Sequence, residues 1–161
     1  MEQSRDKKKD ILRYAGYIAA TLAAGGLSAA LSRSGMEAFS HLKQPPFAPP
    51  DWVFPAAWTF LYILMAVSAA MIAGERTQRS RDALFTYWAQ LFVNFWWSIF
   101  FFAWGLRLVA FFWLLLLLAL AVGMTVRFWT LRPLAGKMNL PYLFWLGFAA
   151  VLNFSVYYLN K

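Results

Sequence analysis

Nineteen consecutive residues, Leu108 to Val126, carry no charge. Coiled as a helix they measure about 28 Å, enough to cross the hydrocarbon core of a bilayer. Similar apolar runs cover about 11–32, 52–74 and 140–159, and an aromatic run covers about 83–104. Apolar residues make up 61% of the chain and charged ones only 14%, more apolar surface than a water-soluble fold of this size can hide. The pattern predicts an all-α membrane protein, a single domain built as a bundle of five transmembrane helices. A charged tail, residues 1–10, precedes it.

The charges are segregated. No acidic residue follows Asp82. With five spans, the tail and the 75–82 and 131–137 turns share one side with the nearby span ends. Eleven of the 15 Lys and Arg residues fall there, against Arg33, Lys43, Arg107 and Lys161 on the other. The excess of basic residues predicts a cytoplasmic N-terminus, with the C-terminus and the loop before the second span outside. This distribution also accounts for the net charge of +8 without invoking nucleic acid. Lys7–Lys9 ahead of an apolar run is also the arrangement of a signal peptide, but this run is longer than a usual h-region and favours a retained helix. Along it Gly16, Ala20, Ala24, Ser28 and Ser32 repeat every four residues, a small-residue stripe suited to close helix approach.

Several chemistries lack their parts. Cysteine is absent, which excludes disulfides and thiolate metal sites, and His41 is the single histidine. No Asp, Glu, Lys or His lies deep in a span, so proton-coupled transport and acid–base or Ser-His-Asp catalysis have no residues to run on. No metal site is expected.

The stretch Gln44–Met65, QPPFAPPDWVFPAAWTFLYILM, contains five prolines before and inside an aromatic run. Residues 45–50 should form a stiff, non-helical approach to a helix, with Asp51 as its N-cap and Pro55 in its first turn. This approach delivers Trp52 to the helix mouth, with Trp58 and Tyr62 one and two turns deeper. Gln90 and Asn94 share a helix face with Trp97 nearby, and Asn153 lies four-residue steps beyond Trp145 and Ala149. Two readings stand: a loop with belt aromatics and interhelical amide bonds, or a ligand site in which amides orient a guest inside an aromatic cavity. Trp88, Trp104, Trp113 and Trp129 read as belt residues, and Trp58, Trp97 and Trp145 as interior ones.

The runs PPFAPPDWVFPAAWTFLYILM, QLFVNFWWSIFFF and PYLFWLGFAAVLNFSVYYLN closely resemble the translocator protein family, also called TspO or tryptophan-rich sensory proteins. The resemblance runs from about residue 40 to the C-terminus. It implies a five-helix bundle, usually a homodimer, integral to a bacterial plasma membrane. It also implies a receptor or regulator in tetrapyrrole metabolism and stress, with porphyrin or haem as ligand and no obligatory cofactor. Two alternatives come with it, a light- and oxygen-dependent protoporphyrin-degrading enzyme and a passive porphyrin carrier. Carried over by motif, the pocket residues are Trp52, Trp58, Asn94, Trp97, Trp145, Ala149 and Leu152, joined by Tyr62 from the helix reading. Trp58 and Trp145 match the tryptophans implicated in porphyrin breakdown. In the overlying loop Arg33, His41 and Lys43 are candidate partners for porphyrin propionates. The chain departs from the family at Phe47, where tryptophan is frequent, and at Ala38-Phe39, where Trp-Tyr is usual. The cholesterol-recognition tyrosine falls on Phe154 and the following arginine on Tyr158, which counts against sterol binding. Leu152, Tyr157 and Lys161 satisfy only a looser form of that weak pattern.

Overall fold

The computed structural model describes residues 2–161, with side chains from Asp6 onward. Seven helices follow one another: α1 (Glu2–Leu31), α2 (Arg33–Ser40), α3 (Val53–Ala73), α4 (Gln78–Ser98), α5 (Arg107–Leu131), α6 (Pro133–Lys137) and α7 (Leu140–Leu159). A π-helical turn, Ile99–Ala103, extends α4. No strand occurs among the described residues. Four stretches are long and apolar enough to cross a membrane: Asp6–Leu31, Val53–Ala73, Arg107–Leu131 and Pro133–Leu159. The expected spans at 52–74, 108–130 and 140–159 agree with α3, α5 and α7 to within a residue at each end.

Three boundaries differ from expectation. The first helix begins at Glu2 rather than 11, so residues 2–10 of the charged segment are helical. Its Glu, Gln, Lys and Arg residues are good helix formers, and Lys9–Asp6 (3.8 Å) and Arg13–Asp10 (3.0 Å) pair one turn apart. At about 45 Å, α1 is longer than a bilayer core is thick. The fourth helix begins at Gln78 rather than 83, because Thr77 caps it. Ser80 N–H donates to Thr77 Oγ1 (3.1 Å), and Thr77 N–H donates to Ser80 Oγ (3.0 Å). Asp51 is not the N-cap of α3. Trp52 occupies that position with helical dihedral angles and no side-chain cap, and Pro50 O accepts from Val53 N–H in the turn before it.

The segment between α1 and α3 is only partly irregular. Residues 44–50 are non-helical, as the prolines require, but 33–40 form α2. Two contacts hold α2 on the π-helical turn. Phe39 is buried against Phe101 (5.5 Å between centroids) and Phe102 (5.3 Å). Gly35 lies so close to the Phe102 carbonyl that a Cβ would stand 1.9 Å from its oxygen. An eight-residue helix is marginal by itself, so packing of this kind is what stabilises it.

α4 packs along α5, α1 along α3, and α5 against α7. The core is apolar and centred on Met65, Tyr87, Leu114, Leu117, Met124, Phe128, Tyr142 and Leu146. Only the later half of the small-residue stripe makes an interface. Ser28 Oγ donates to Phe95 O (2.7 Å) and Ser98 Oγ to Ser32 Oγ (3.2 Å), whereas Gly16 and Ala20 are exposed. A four-residue repeat advances slightly faster than the helix turn, so a straight stripe drifts around α1 and leaves the contact face.

Candidate functional site

A cavity of about 510 Å³ opens between α1, α2, α3 and the end of α4. Its aromatic wall comes from Phe54, Trp58 and Tyr62 of α3 and Trp97 and Phe102 of the fourth helical rod, with Phe39 of α2 closing one side. α1 contributes small residues, Gly25, Ser28 and Ala29. Gly25 is needed there because a Cβ would stand 2.2 Å from the Tyr62 ring. Any side chain at this position would push that ring out of place.

Trp58 is the hub of the wall. Its ring lies 5.4 Å from Tyr62, 5.9 Å from Trp97, 6.2 Å from Tyr142 and 6.4 Å from Trp145. Such spacings fall in the range where aromatic pairs attract, each by about 0.5–1.5 kcal/mol beyond burial. Trp97 is fixed from behind by stacking on Phe101 at 5.6 Å and by donating from Nε1 to Asn153 Oδ1 (3.3 Å).

A hydrogen-bonded chain runs inward from the cavity. The Tyr62 hydroxyl donates to Asn94 Oδ1 (2.8 Å), and Asn94 Nδ2 donates to the Tyr142 hydroxyl (2.9 Å). That hydroxyl donates to Gln90 Oε1 (2.8 Å), and Gln90 Nε2 reaches the Met65 sulfur (3.7 Å). α3, α4 and α7 are thereby tied through neutral groups whose polar atoms pair with one another. Asn153 is interhelical glue: besides accepting from Trp97, it donates to Arg107 O (2.8 Å) at the start of α5.

Of the residues singled out in the sequence, Trp58, Tyr62, Asn94, Trp97 and Arg33 line this cavity. Trp52 does not; it is 70% exposed beyond the mouth. Ala149 and Leu152 are buried in the helix packing of α7 and do not line it either. His41 is exposed and away from the cavity, and the main chain of Lys43 is held by Asn160 through two bonds of 3.0 and 2.9 Å. Trp145 lies behind Trp58 and faces a separate groove of about 520 Å³, between Pro49, Phe60, Leu61, Pro141 and Phe148. Its buried Nε1 has no acceptor in the protein. Trp58 and Trp145 therefore meet edge to face, their planes 86° apart, as a partition between cavity and groove rather than facing one space. Met36, Glu37, Phe39, Ser40 and Asp51 also line the cavity, and none of them was read as a site residue in the sequence. Their signal was present in the apolar spacing of Met36 and Phe39, three apart as on a helix face.

Of the presumed belt residues, Trp88, Trp104 and Trp129 are 43%, 56% and 40% exposed, as such rings should be. Trp113 is only half-buried and donates to Val93 O (2.8 Å), joining α5 to α4.

Long apolar helices around an aromatic cavity open at one end, with amides rather than ionised groups in its floor, define an integral membrane protein. The TspO/MBR family model matches residues 17–159, and the chain belongs to that family. It is 41% identical over 91 residues to Protein CrtK of Rhodobacter capsulatus, covering 55% of this chain and 56% of that one. It is 44% identical over 66 residues to the tryptophan-rich sensory protein of Cereibacter sphaeroides, covering 41% and 40%. To the translocator protein of Bos taurus it is 34% identical over 82 residues, 48% of each chain. The chain thus matches about half the length of these curated relatives.

Proposed function

We propose that the protein is a membrane receptor for flat aromatic macrocycles of the porphyrin and haem class, acting as a regulator in tetrapyrrole metabolism or stress. The observation that carries this reading is the cavity walled by Trp58, Tyr62 and Trp97. Its volume lies within the range of small-molecule sites, its wall is aromatic, and it has few polar groups. Aromatic faces suit a flat ring. The name tryptophan-rich sensory protein, borne by a relative, agrees with a signalling role.

The reading includes a five-span bundle. α4 with its π-helical turn runs through residues 78–103, about 39 Å of helix and as long as its neighbours. Its polarity comes from charges in the first turns and from Gln90 and Asn94, which are bonded inside the bundle. The N-terminus is cytoplasmic and the proline-rich loop outside, in a bacterial plasma membrane, with a homodimer as the working assembly and sterols as poor ligands.

Titration with protoporphyrin, followed by quenching of tryptophan emission, tests the site. After correction for the lost indole, Trp58→Ala and Trp97→Ala should weaken binding. Unchanged affinity in both would remove the assignment. A second reading, light-dependent breakdown of the bound ring, draws support from the edge contact of Trp58 with Trp145. In that reading the excited ring activates oxygen, and the protein supplies position and exclusion of water.

A further inference from the structure

The cavity wall is neutral, and its ionised groups are confined to the mouth: Arg33 and Glu37, one turn apart on α2, and Asp51 just before α3. Among the described residues none of the three has an opposite charge within 4.0 Å. The ion pairs among the described residues are Lys9–Asp6, Arg13–Asp10 and Arg132–Glu75, all elsewhere. His41 and Lys43, the other basic groups of this loop, do not line the cavity. One cation and two carboxylates, none ion-paired, leave the groups lining the mouth with a formal net negative charge.

Resting on the reading of this cavity as a ring-ligand site, we infer that its mouth selects by charge. Glu37 and Asp51 oppose a ring carrying two free carboxylates, while Arg33 accommodates one. Within the porphyrin class, rings whose edge acids are masked as esters are favoured over the fully ionised diacid, which still binds. With one acid of a dianionic ring at Arg33, the second shares a rim with Glu37 and Asp51, where like charges repel. All three groups are solvent-exposed, so each interaction is partly screened, and its effect on affinity is about two- to five-fold.

The test compares protoporphyrin with its dimethyl ester, titrated by tryptophan quenching at low salt. The quantity read is the ratio of the two dissociation constants, diacid over diester. Partition of each ring into detergent cancels when wild type and variants are compared. Glu37→Gln and Asp51→Asn should each lower the ratio about two- to five-fold, and Arg33→Gln should raise it by a similar factor. High salt should compress all three effects, and thermal unfolding should not move. A ratio that stays constant, or rises, in both carboxylate variants overturns the inference. If both rings bind and depend on Trp58 while the ratio ignores the rim, charge selection alone is wrong. If neither ring binds, or Trp58→Ala weakens neither, the site itself is wrong and charge selection falls with it.

Discussion

Asn94 holds the cavity floor to the rest of the bundle, and Asn94→Ala measures how much that tie contributes. The substitution removes two hydrogen bonds, one from the Tyr62 hydroxyl at 2.8 Å and one to the Tyr142 hydroxyl at 2.9 Å. Tyr142 keeps its bond to Gln90, so one end of the chain stays satisfied. Tyr62 loses its acceptor but lines the cavity, where water or a ligand can replace it. Hydrogen bonds inside membrane proteins contribute about 0.6 kcal/mol each on average and at most about 1.7. Two such bonds plus a small void therefore amount to about 1–2 kcal/mol. For a chain of this length that is a drop of about 2–8 °C in Tm, read in detergent by helical circular dichroism. Tyr62→Phe should cost about half as much, and the double variant Tyr62→Phe/Asn94→Ala less than the sum, since both single changes break the same bond. Asn94→Ala with a wild-type Tm, or strict additivity in the cycle, would refute the role assigned to this chain of groups.

Other outcomes follow from particular contacts. Gly35→Ala sets a Cβ against the Phe102 carbonyl, a backbone atom that cannot swing away, so α2 should detach from the π-helical turn and residues 33–52 should become sensitive to limited proteolysis; a digestion pattern like wild type would contradict this packing. Because the chain has no cysteine, Ala48→Cys and Thr77→Cys should label oppositely with an impermeant maleimide on intact cells, Ala48→Cys reacting; the reverse pattern would invert the topology. Trp58→Phe and Trp145→Phe should keep porphyrin binding but slow any light-dependent loss of its main absorbance band; breakdown at the wild-type rate in both would remove the enzyme reading.

The long spans were legible because hydropathy, proline and basic residues punctuate them directly. Pro133, and Pro141 near the start of α7, mark ends that local chemistry sets by itself. α2 was not legible as a helix because its stability lies in Phe39 and Gly35 meeting a π-helical turn about 65 residues further on, a contact with no local signature. Reading 33–40 as loop then hid Glu37, Met36 and Phe39 from the site. Along α7 the spacing of Trp145, Ala149 and Leu152 defines a face but not what that face meets. The bundle turns Ala149 and Leu152 into helix contacts and Trp145 toward the groove. Trp52 lies outside the cavity for a related reason: a tryptophan at a helix mouth can point in or out, and here it is the capping residue, exposed. Trp58, Tyr62, Asn94 and Trp97 were legible because large aromatics and a lone amide inside an apolar span have few places to go but inward.

Ligand protection of a single cysteine tests the central claim most directly. Ser40 lines the cavity mouth and is exposed, whereas Trp52 is exposed outside the cavity. With protoporphyrin added, Ser40→Cys should lose most of its maleimide labelling rate while Trp52→Cys keeps its own. Equal rates with and without the porphyrin at both positions, under conditions where quenching shows it bound, would mean that the ring sits elsewhere.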